Sequence, residues 1–297
     1  METDPINPPT HQVEKPLIVI VGPTASGKSS VAIELAEQLG GEIICADSRT
    51  IYTGMDIGTA KPSQDDQARV AHWGLDLVKP GEPFSAADFK DYAVQKIAEI
   101  RARGHIPFLV GGTGLYIDGV IFDFTFGPPA DLEKRAEYEK MSLSDLHNYC
   151  IQNNISLPEN DQNKRYVIRA IEQKDVSTKR SDTPINNCII VGIATDRATL
   201  RKRINARSEQ LFNSGVIDET KALAEQYGWD NQAMTGNIYR LIHDYVSGTA
   251  TIDELYRRNE MADWHLSKRQ LTWFKRNAFI QWMPLEKVKN YIVTHLA

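Results

Sequence analysis

The segment 15–40, KPLIVIVGPTASGKSSVAIELAEQLG, constrains the fold of this 297-residue chain more than any other. It opens with a short apolar, β-branched run that ends in glycine, which is typical of a buried parallel strand. Apolar residues then recur at helical spacing at Val31, Leu35 and Leu39, and the pattern stops at glycine. Between these two patterns lies GPTASGKS, a G-x-x-x-x-G-K-[ST] loop whose backbone amides converge on phosphate oxygens. The sequence therefore predicts a strand, a phosphate-binding loop and a helix in that order.

Two side chains of this loop have predicted roles. Lys28 adds a point charge for the phosphates, and Ser29 offers its hydroxyl to a magnesium ion at the helix N-terminus, so Mg²⁺ is the expected cofactor. The residues predicted to bind a diphosphate or nucleotide are Gly22, Pro23, Thr24, Ala25, Ser26, Gly27, Lys28 and Ser29.

Further strand patterns alternate with helical ones along the chain. After KPLIVIVG, the predicted strands are GEIICAD, IPFLVGG, NCIIVGIATD and FIQWMPL, and FSAADFKDYAVQKIAEIRARG predicts a helix with Ser85 as its N-cap. This alternation favours an α/β fold of the P-loop NTPase-like kind, a three-layer parallel sheet with helices on both faces. From 127 to 183 the sequence is polar and has only helical patterns, which predicts an inserted helical domain. The catalytic core is then expected at 16–126 and 184–297, after a flexible lead at 1–15.

Composition excludes several classes of protein. With 41% hydrophobic and 25% charged residues the chain is typical of a globular protein, and no apolar run approaches the length that spans a bilayer. A net charge of −5 argues against a protein that coats nucleic acid by bulk electrostatics. Cys45, Cys150 and Cys188 are far apart and form no C-x-x-C pair, so reduced thiols in a cytoplasmic protein are expected.

The residues at the ends of the strands distinguish transfer from hydrolysis. A nucleotide hydrolase of this class usually places a magnesium-holding acid after an apolar strand, but IPFLV is followed by Gly111, Gly112 and Thr113. The second predicted strand ends in Asp47, which should face the phosphates together with Thr113. A carboxylate at this place can accept a proton from a nucleophile, which favours transfer to an acceptor. The alternative interpretation is that Asp47 is a turn or cap residue.

Arg207 lies on the apolar stripe of a helix predicted to end near Gly215. Leu200, Ile204 and Leu211 define that stripe, so the guanidinium should point inward and needs an anion. A bound pyrophosphate and an internal carboxylate are both compatible with the pattern. Arg203, one turn earlier, is a second candidate.

The segment 257–277, RRNEMADWHLSKRQLTWFKRN, interleaves six basic residues with Trp264, Trp273 and Phe274. Such a helix can bind phosphates and stack on bases. The alternative is a helix whose aromatic residues face the core while its lysines and arginines are solvated.

Taken together and in order, GPTASGKS, ADSRTIYTGMDIGTAKP, FSAADF, VGGTGLY and SKRQLTWFKRN resemble the tRNA dimethylallyltransferases, also called tRNA isopentenyltransferases. The resemblance covers 15 to about 277 and is of the bacterial type, since no zinc-finger set follows. It implies a magnesium-dependent transfer of a dimethylallyl group from dimethylallyl diphosphate to the exocyclic amine of the adenosine adjacent to the anticodon in tRNA. Asp47 would take the proton of the amine, Arg207 would neutralise the leaving diphosphate, and Thr24 and Thr113 match family positions.

The resemblance also implies the contacts with tRNA. The insertion at 127–183 corresponds to the helical domain that closes over the anticodon stem-loop in the family, and a cytoplasmic monomer is expected. The residues expected to contact tRNA are Asp47, Ser48, Arg49, Thr50, Thr113, Arg135, Tyr239, Lys268, Arg269, Gln270, Trp273 and Lys275.

The chain departs from the family pattern in three segments that bear on tRNA recognition. AMTGNIYR has Ile238 where a glycine is expected and Thr235 near the place of a glutamine. Asp263 begins a tripeptide that usually reads Thr-Arg-Gln, and Arg165 and Arg169 are spaced one residue wider than usual. Two alternatives remain: a P-loop small-molecule or nucleotide kinase, and a nucleic-acid-binding protein with a vestigial nucleotide site.

Overall fold

The fold is built on a parallel β-sheet. The computed structural model describes residues 14–127, 131–174 and 179–296. Within these ranges the strands are β1 (Leu17–Val21), β2 (Gly41–Ala46), β3 (His72–Trp73), β4 (Ile106–Gly111), β5 (Cys188–Ile193) and β6 (Gln281–Met283). They pair in the order β3-β2-β4-β1-β5-β6 and every pairing is parallel, which confirms the predicted fold class.

Strand β1 lies in the middle of the sheet and is buried on both faces. Ile18 and Ile20 pack in a cluster with residues of the first and last helices, while Leu17, Val19 and Val21 alternate onto the other face and are also fully buried. The register sets Val21 beside Gly111 of β4 and Gly192 of β5. The carboxyl ends of three strands are therefore level, and the segments that follow them start from the same edge.

The described helices connect and cover these strands. They are α1 (Lys28–Leu39), α2 (Gln64–Arg69), α3 (Ala86–Ala102), α4 (Gly114–Ile121), α5 (Leu132–Lys140), α6 (Leu143–Gln152), α7 (Lys164–Glu172), α8 (Arg197–Asn213), α9 (Val216–Tyr227), α10 (Asn237–Val246), α11 (Ile252–Phe274) and α12 (Leu285–Leu296), with a 3₁₀ turn at Gln232–Thr235. Among them, no helix combines the length and the apolar character needed to span a bilayer.

Helix α3 begins as the sequence predicts. Ser85 is its N-cap, and its hydroxyl accepts the amide of Asp88 at 3.2 Å while its own amide donates to the Asp88 carboxylate at 2.7 Å. This is a complete capping box in which two otherwise unpaired amides are satisfied. The same arrangement at Thr251 and Glu254 starts α11, the longest described helix.

Chain contacts divide the molecule into two compact units. One comprises residues up to Phe122 and from Thr183 onward, and the other is Asp123–Asp182. The first unit contains the sheet and a second apolar cluster, centred on Met55, Phe212 and Tyr239, that supports the segment after β2. The second unit contains α5, α6 and α7 around a small core of its own that includes Leu146, Cys150, Val167, Ile168 and Ile171.

Candidate active site

A cavity of about 440 Å³ opens at the carboxyl edge of the sheet within the first unit. Its walls come from the phosphate-binding loop, the segments that follow β2 and β4, and helices α8, α10 and α11. The topology explains this convergence, since ligand crevices of open parallel sheets lie outside the carboxyl ends of the strands. Lys28, Asp47, Thr113 and Arg207, which come from four separate segments, all line this cavity.

The phosphate-binding loop turns tightly between β1 and α1. Gly27, the N-cap of α1, has φ 93°, and Ala25 also has positive φ at 61°. Both residues lie in the left-handed region of backbone conformation. This conformation costs free energy at Ala25, which has a Cβ atom, but not at Gly27, which has none. The Lys28 ammonium donates to the carbonyl of Pro23 at 3.4 Å. Burial lowers the pKa of Lys28 to about 8; the nearby Asp47 opposes this shift, and Arg207 adds to it.

Two arginines of α8 bind the loop from one side. Arg203 donates from Nη1 to the Ser26 carbonyl at 2.8 Å, and Arg207 donates from Nη1 to Thr24 Oγ1 at 2.6 Å. The two are four residues apart and so lie on the same face of the helix. Arg203, the second candidate from the sequence, is thus a bracing residue of the loop.

One of the two anions proposed for Arg207, an internal carboxylate, is present in the structure. Leu200, Ile204 and Leu211 are buried, as the stripe predicts. An internal carboxylate is present, because Asp263 Oδ2 lies 4.0 Å from Arg207 Nε, although at this distance there is no hydrogen bond. The guanidinium therefore keeps donor capacity toward the cavity that it lines.

Asp47 has a turn role and also faces the cavity. Its Oδ1 accepts the amide of Arg49 at 2.9 Å, so the turn interpretation is correct for one oxygen. Among the described residues Oδ2 accepts no hydrogen bond, and the side chain lines the cavity. The hydroxyl of Thr113 accepts the amide of Ser48 at 3.0 Å, which ties the segment after β4 to the segment after β2. The structure thus brings together Asp47 and Thr113, as predicted from strand order.

Gln270 of α11 connects the two glycine-containing segments. Its Oε1 accepts the amide of Thr24 at 2.8 Å, and its Nε2 donates to the carbonyl of Gly112 at 3.2 Å. A Cβ atom at Gly112 would collide with this side chain, which explains the glycine. Gln270 was predicted to contact tRNA, but its amide group is engaged inside the protein.

Comparisons with known proteins identify the family. The IPP transferase family profile matches residues 50–277, and the Isopentenyl transferase profile matches residues 15–77. The chain belongs to the IPP transferase family. It is 37% identical to the tRNA dimethylallyltransferase of Halalkalibacterium halodurans over 93% of each chain. The predicted resemblance is confirmed.

Solved structures of the family share the fold. The tRNA isopentenylpyrophosphate transferase of Bacillus halodurans superposes with a TM-score of 0.73 at 37% identity, over 96% of this chain and 97% of that one. The tRNA delta(2)-isopentenylpyrophosphate transferase of Staphylococcus epidermidis gives a TM-score of 0.71 at 33% identity, over 95% of this chain and 99% of that one.

Within this family member, the basic and aromatic residues of α11 separate by face. Phe274 is fully buried, so stacking of a base on it is excluded. Trp273 is half-buried and donates from Nε1 to Asp118 at 2.8 Å, and Trp264 lies between Arg197 and Arg201, whose guanidinium carbons are 5.3 and 5.4 Å from its ring centroid. Lys268, Arg269 and Lys275 are exposed. The burial of Phe274 agrees with the core-facing alternative for that residue alone, and tRNA contact by Trp273 and by the exposed basic residues stays a prediction.

Tyr239 is a wall residue of the cavity rather than an exposed one. It is 1% exposed and its hydroxyl donates to Glu219 Oε1 at 3.1 Å. Burial and the Glu219 charge raise the pKa of this phenol. The Glu219 carboxylate also accepts three consecutive amides at 2.6 to 2.9 Å, those of Asp56, Ile57 and Gly58. Sequence reasoning missed Glu219, since nothing in its helical surroundings indicates a partner about 160 residues away.

Three other residues predicted to contact tRNA have partners inside the protein. Arg49 is half-buried and donates to the Ala233 carbonyl at 3.4 Å, and Thr50 is buried with its hydroxyl 3.4 Å from the Asp47 carbonyl. In the second unit Arg135 forms a two-pronged ion pair with Glu172 at 2.8 and 3.0 Å. Their tRNA contacts stay predictions.

Proposed function

We propose that this IPP transferase transfers a dimethylallyl group from dimethylallyl diphosphate to the exocyclic amine of the adenosine adjacent to the anticodon in tRNA, releasing pyrophosphate. The observation that supports this most directly is the shared cavity of Lys28, Arg207 and Asp47. Cationic groups that can neutralise a leaving diphosphate and a carboxylate that can accept a proton thus line the same cavity.

The reaction balances with these groups alone. The amine nitrogen attacks the allylic carbon, the bond from that carbon to the diphosphate oxygen breaks, and the bond electrons leave with pyrophosphate. Lys28 and Arg207 neutralise the charge that develops on the leaving group, which lowers the barrier because donors fixed in a cavity need no reorganisation. Asp47 orients the amine and accepts its proton through the oxygen that Arg49 does not engage.

The residues present fit Mg²⁺ only as an ion brought with the diphosphate. Among the described residues no group of three His, Cys, Asp or Glu side chains could hold a metal. Ser29 is exposed at the first turn of α1 and lines the cavity, so its hydroxyl can provide one oxygen ligand. Magnesium keeps several waters and is commonly held by phosphates with few protein ligands. When bound, the ion would supply further charge neutralisation for the diphosphate.

We further propose a cytoplasmic enzyme that acts as a monomer on the anticodon stem-loop. The exposed Lys268, Arg269 and Lys275 provide positive charge on α11, the same helix that binds the phosphate loop through Gln270.

The direct test is transfer of label. The protein is incubated with Mg²⁺, unmodified tRNA and dimethylallyl diphosphate labelled in the prenyl group, in parallel with ATP labelled at the γ-phosphate. We expect prenyl label on one adenosine beside the anticodon and no phosphoryl transfer. Movement of the γ-phosphate without prenyl transfer would instead support the kinase alternative.

Replacement of Asp47 by Asn tests the proton acceptor. The change keeps the acceptor for the Arg49 amide but removes the base, so kcat should fall by about 10²-fold or more. The affinity for tRNA should stay within a few-fold in a filter-binding assay. The matched control is Asp65→Asn, an exposed carboxylate of α2, which should turn over normally. Near-normal turnover of the Asp47 variant would contradict its assignment.

Combined replacement of Lys268 and Arg269 by Ala tests the tRNA-binding face of α11. Loss of phosphate contacts should weaken tRNA binding and reduce the slope of log K against log salt by about 1 to 2. Lys221→Ala with Lys287→Ala removes the same charge from exposed sites on α9 and α12 and is the control. Equal salt slopes in both double variants would show that the charge on α11 has no special role.

A further inference from the structure

Helix α11 buries polar side chains where an apolar stripe is expected. Asn259, Asp263 and Ser267 recur every four residues and all are buried. Asn259 donates to Ser208 Oγ at 2.9 Å, and Ser267 donates to a carbonyl one turn back at 2.8 Å. Asp263 is 8% exposed and accepts no hydrogen bond from the described residues. A buried carboxylate without donors is costly, so its presence needs a reason other than stability.

The partner of Asp263 is the diphosphate-facing arginine. Asp263 Oδ2 and Arg207 Nε are 4.0 Å apart, both atoms are buried, and neither has a hydrogen-bond partner. Both side chains line the cavity. Thr24 already fixes the guanidinium through Nη1, so Asp263 adds charge more than orientation. Burial raises the pKa of Asp263 and Arg207 only partly opposes this, which shows that the pair does not compensate the carboxylate fully.

The charge balance of the cavity gives Asp263 an effect on the anion. Lys28 and Arg207 attract a diphosphate, and the Asp263 carboxylate, which lines the same cavity, repels it. After transfer, pyrophosphate keeps every contact of the diphosphate with the loop, and a product held too tightly limits turnover. A carboxylate within several ångströms in a medium of effective dielectric about 20 weakens the binding of an anion on the order of tenfold.

We propose that Asp263 is a counter-charge to Arg207 that limits the affinity of the cavity for pyrophosphate and so promotes its release. The proposal rests on the proposed function, since it takes the diphosphate as the ligand of the cavity. It assigns the departure at Asp263 to control of product release, whereas the sequence pattern alone connected this position with tRNA recognition.

The test measures binding of Mg²⁺-pyrophosphate by isothermal titration without tRNA. Asp263→Asn and Asp263→Thr both remove the charge, and both should lower the dissociation constant on the order of tenfold. Asp244→Asn removes one negative charge from α10 outside the cavity and should leave the constant unchanged. Thermal melting of each variant without ligand checks that it folds.

Two further measurements separate this role from a structural one. In an Arg207→Gln background Asp263→Asn should still tighten pyrophosphate binding by a similar factor, because the repulsion between the carboxylate and the anion does not require Arg207, whereas a residue that only positions Arg207 would have no effect there. In the transfer assay, the inhibition constant of pyrophosphate should fall by the same factor as its dissociation constant, while kcat falls and the affinity for tRNA is unchanged.

The outcomes are distinct. Unchanged or weaker pyrophosphate binding in the Asn variant would overturn the proposal, as would tightening in only one of the two neutral variants. Loss of the effect in the Arg207→Gln background would also overturn it. Wild-type protein that binds no pyrophosphate would contradict the proposed function itself.

Discussion

Two buried carboxylates, Glu42 and Asp263, differ in the number of hydrogen-bond donors that surround them. Glu42 lies at the start of β2, which β4 separates from the strand that precedes the phosphate-binding loop, and its side chain is 6% exposed. It accepts Arg103 Nε and Nη2 at 3.0 and 2.8 Å and Trp73 Nε1 at 2.7 Å, and His105 Nδ1 lies 2.7 Å away. Asp263, with similar burial, accepts nothing from the described residues.

The pKa values follow this difference. Burial alone would raise the pKa of Glu42, but hydrogen bonds from Arg103, His105 and Trp73 lower it to about 2. For Asp263 burial dominates and the pKa is raised, with Arg207 opposing. A buried charge thus stabilises the fold where donors surround it and destabilises the fold where they do not. The satisfied carboxylate lies at the amino end of β2 and the unsatisfied one lies in the cavity.

The largest expected effect comes from Glu42→Gln. The substitution leaves the Arg103 guanidinium with a neutral partner and should lower the free energy of unfolding by about 3 kcal/mol at pH 7, measured by urea denaturation. Glu37→Gln, which breaks an exposed pair with Arg69, should have a much smaller effect, because solvent screens that pair. Equal losses in the two variants would remove the distinction between buried and exposed pairs.

The pH dependence of the free energy of unfolding should reveal the titration of Glu42. The pKa of Glu42 is lower in the folded chain than its ordinary value of 4.5, so its contribution is complete above that value and is lost as pH falls toward 2. Between pH 5 and pH 3 the wild type should lose about 2 kcal/mol more than Glu42→Gln does. Parallel pH profiles of the two proteins would show that Glu42 does not titrate as described.

The smallest effect, of opposite sign, is expected for Asp263→Asn. Because the folded pKa of Asp263 is raised, ionisation at neutral pH destabilises the folded chain, and a neutral amide removes that penalty. The free energy of unfolding should therefore rise slightly, the direction opposite to that expected for Glu42→Gln. A loss of stability comparable to that of Glu42→Gln would mean that Asp263 is a structural partner of Arg207.

The secondary-structure elements that the sequence predicts are those determined by residues close together along the chain. The strand β1, the phosphate-binding loop and the helix α1 follow from the spacing of apolar residues and the positions of the glycines. The N-cap at Ser85 follows from a hydroxyl and a carboxylate that are three residues apart. Strand β3 was not predicted, since His72 and Trp73 are too few to give a pattern and pair only because β2 is beside them.

The features of the site that the sequence does not predict are contacts between residues far apart along the chain. Strand order brought Asp47 and Thr113 to one edge, and this was predictable from parallel topology. The bond from Gln270 to Thr24 joins residues 246 apart, and no local pattern indicates it. Asp263 was marked in the sequence only as a departure from the family pattern, and its burial was not predicted, because a polar residue in a basic helix is expected to be solvated.

Helix α11 fixes the distance between the binding sites for the two substrates of the proposed reaction. Gln270 fixes the helix to the phosphate loop, and Lys268 and Arg269, which precede it directly, are exposed. A helix rises about 1.5 Å per residue, so the seven residues from Asp263 to Gln270 span roughly 10 Å with little compliance. The distance between the diphosphate site and any tRNA phosphate held by Lys268 or Arg269 is therefore set by the length of one helix.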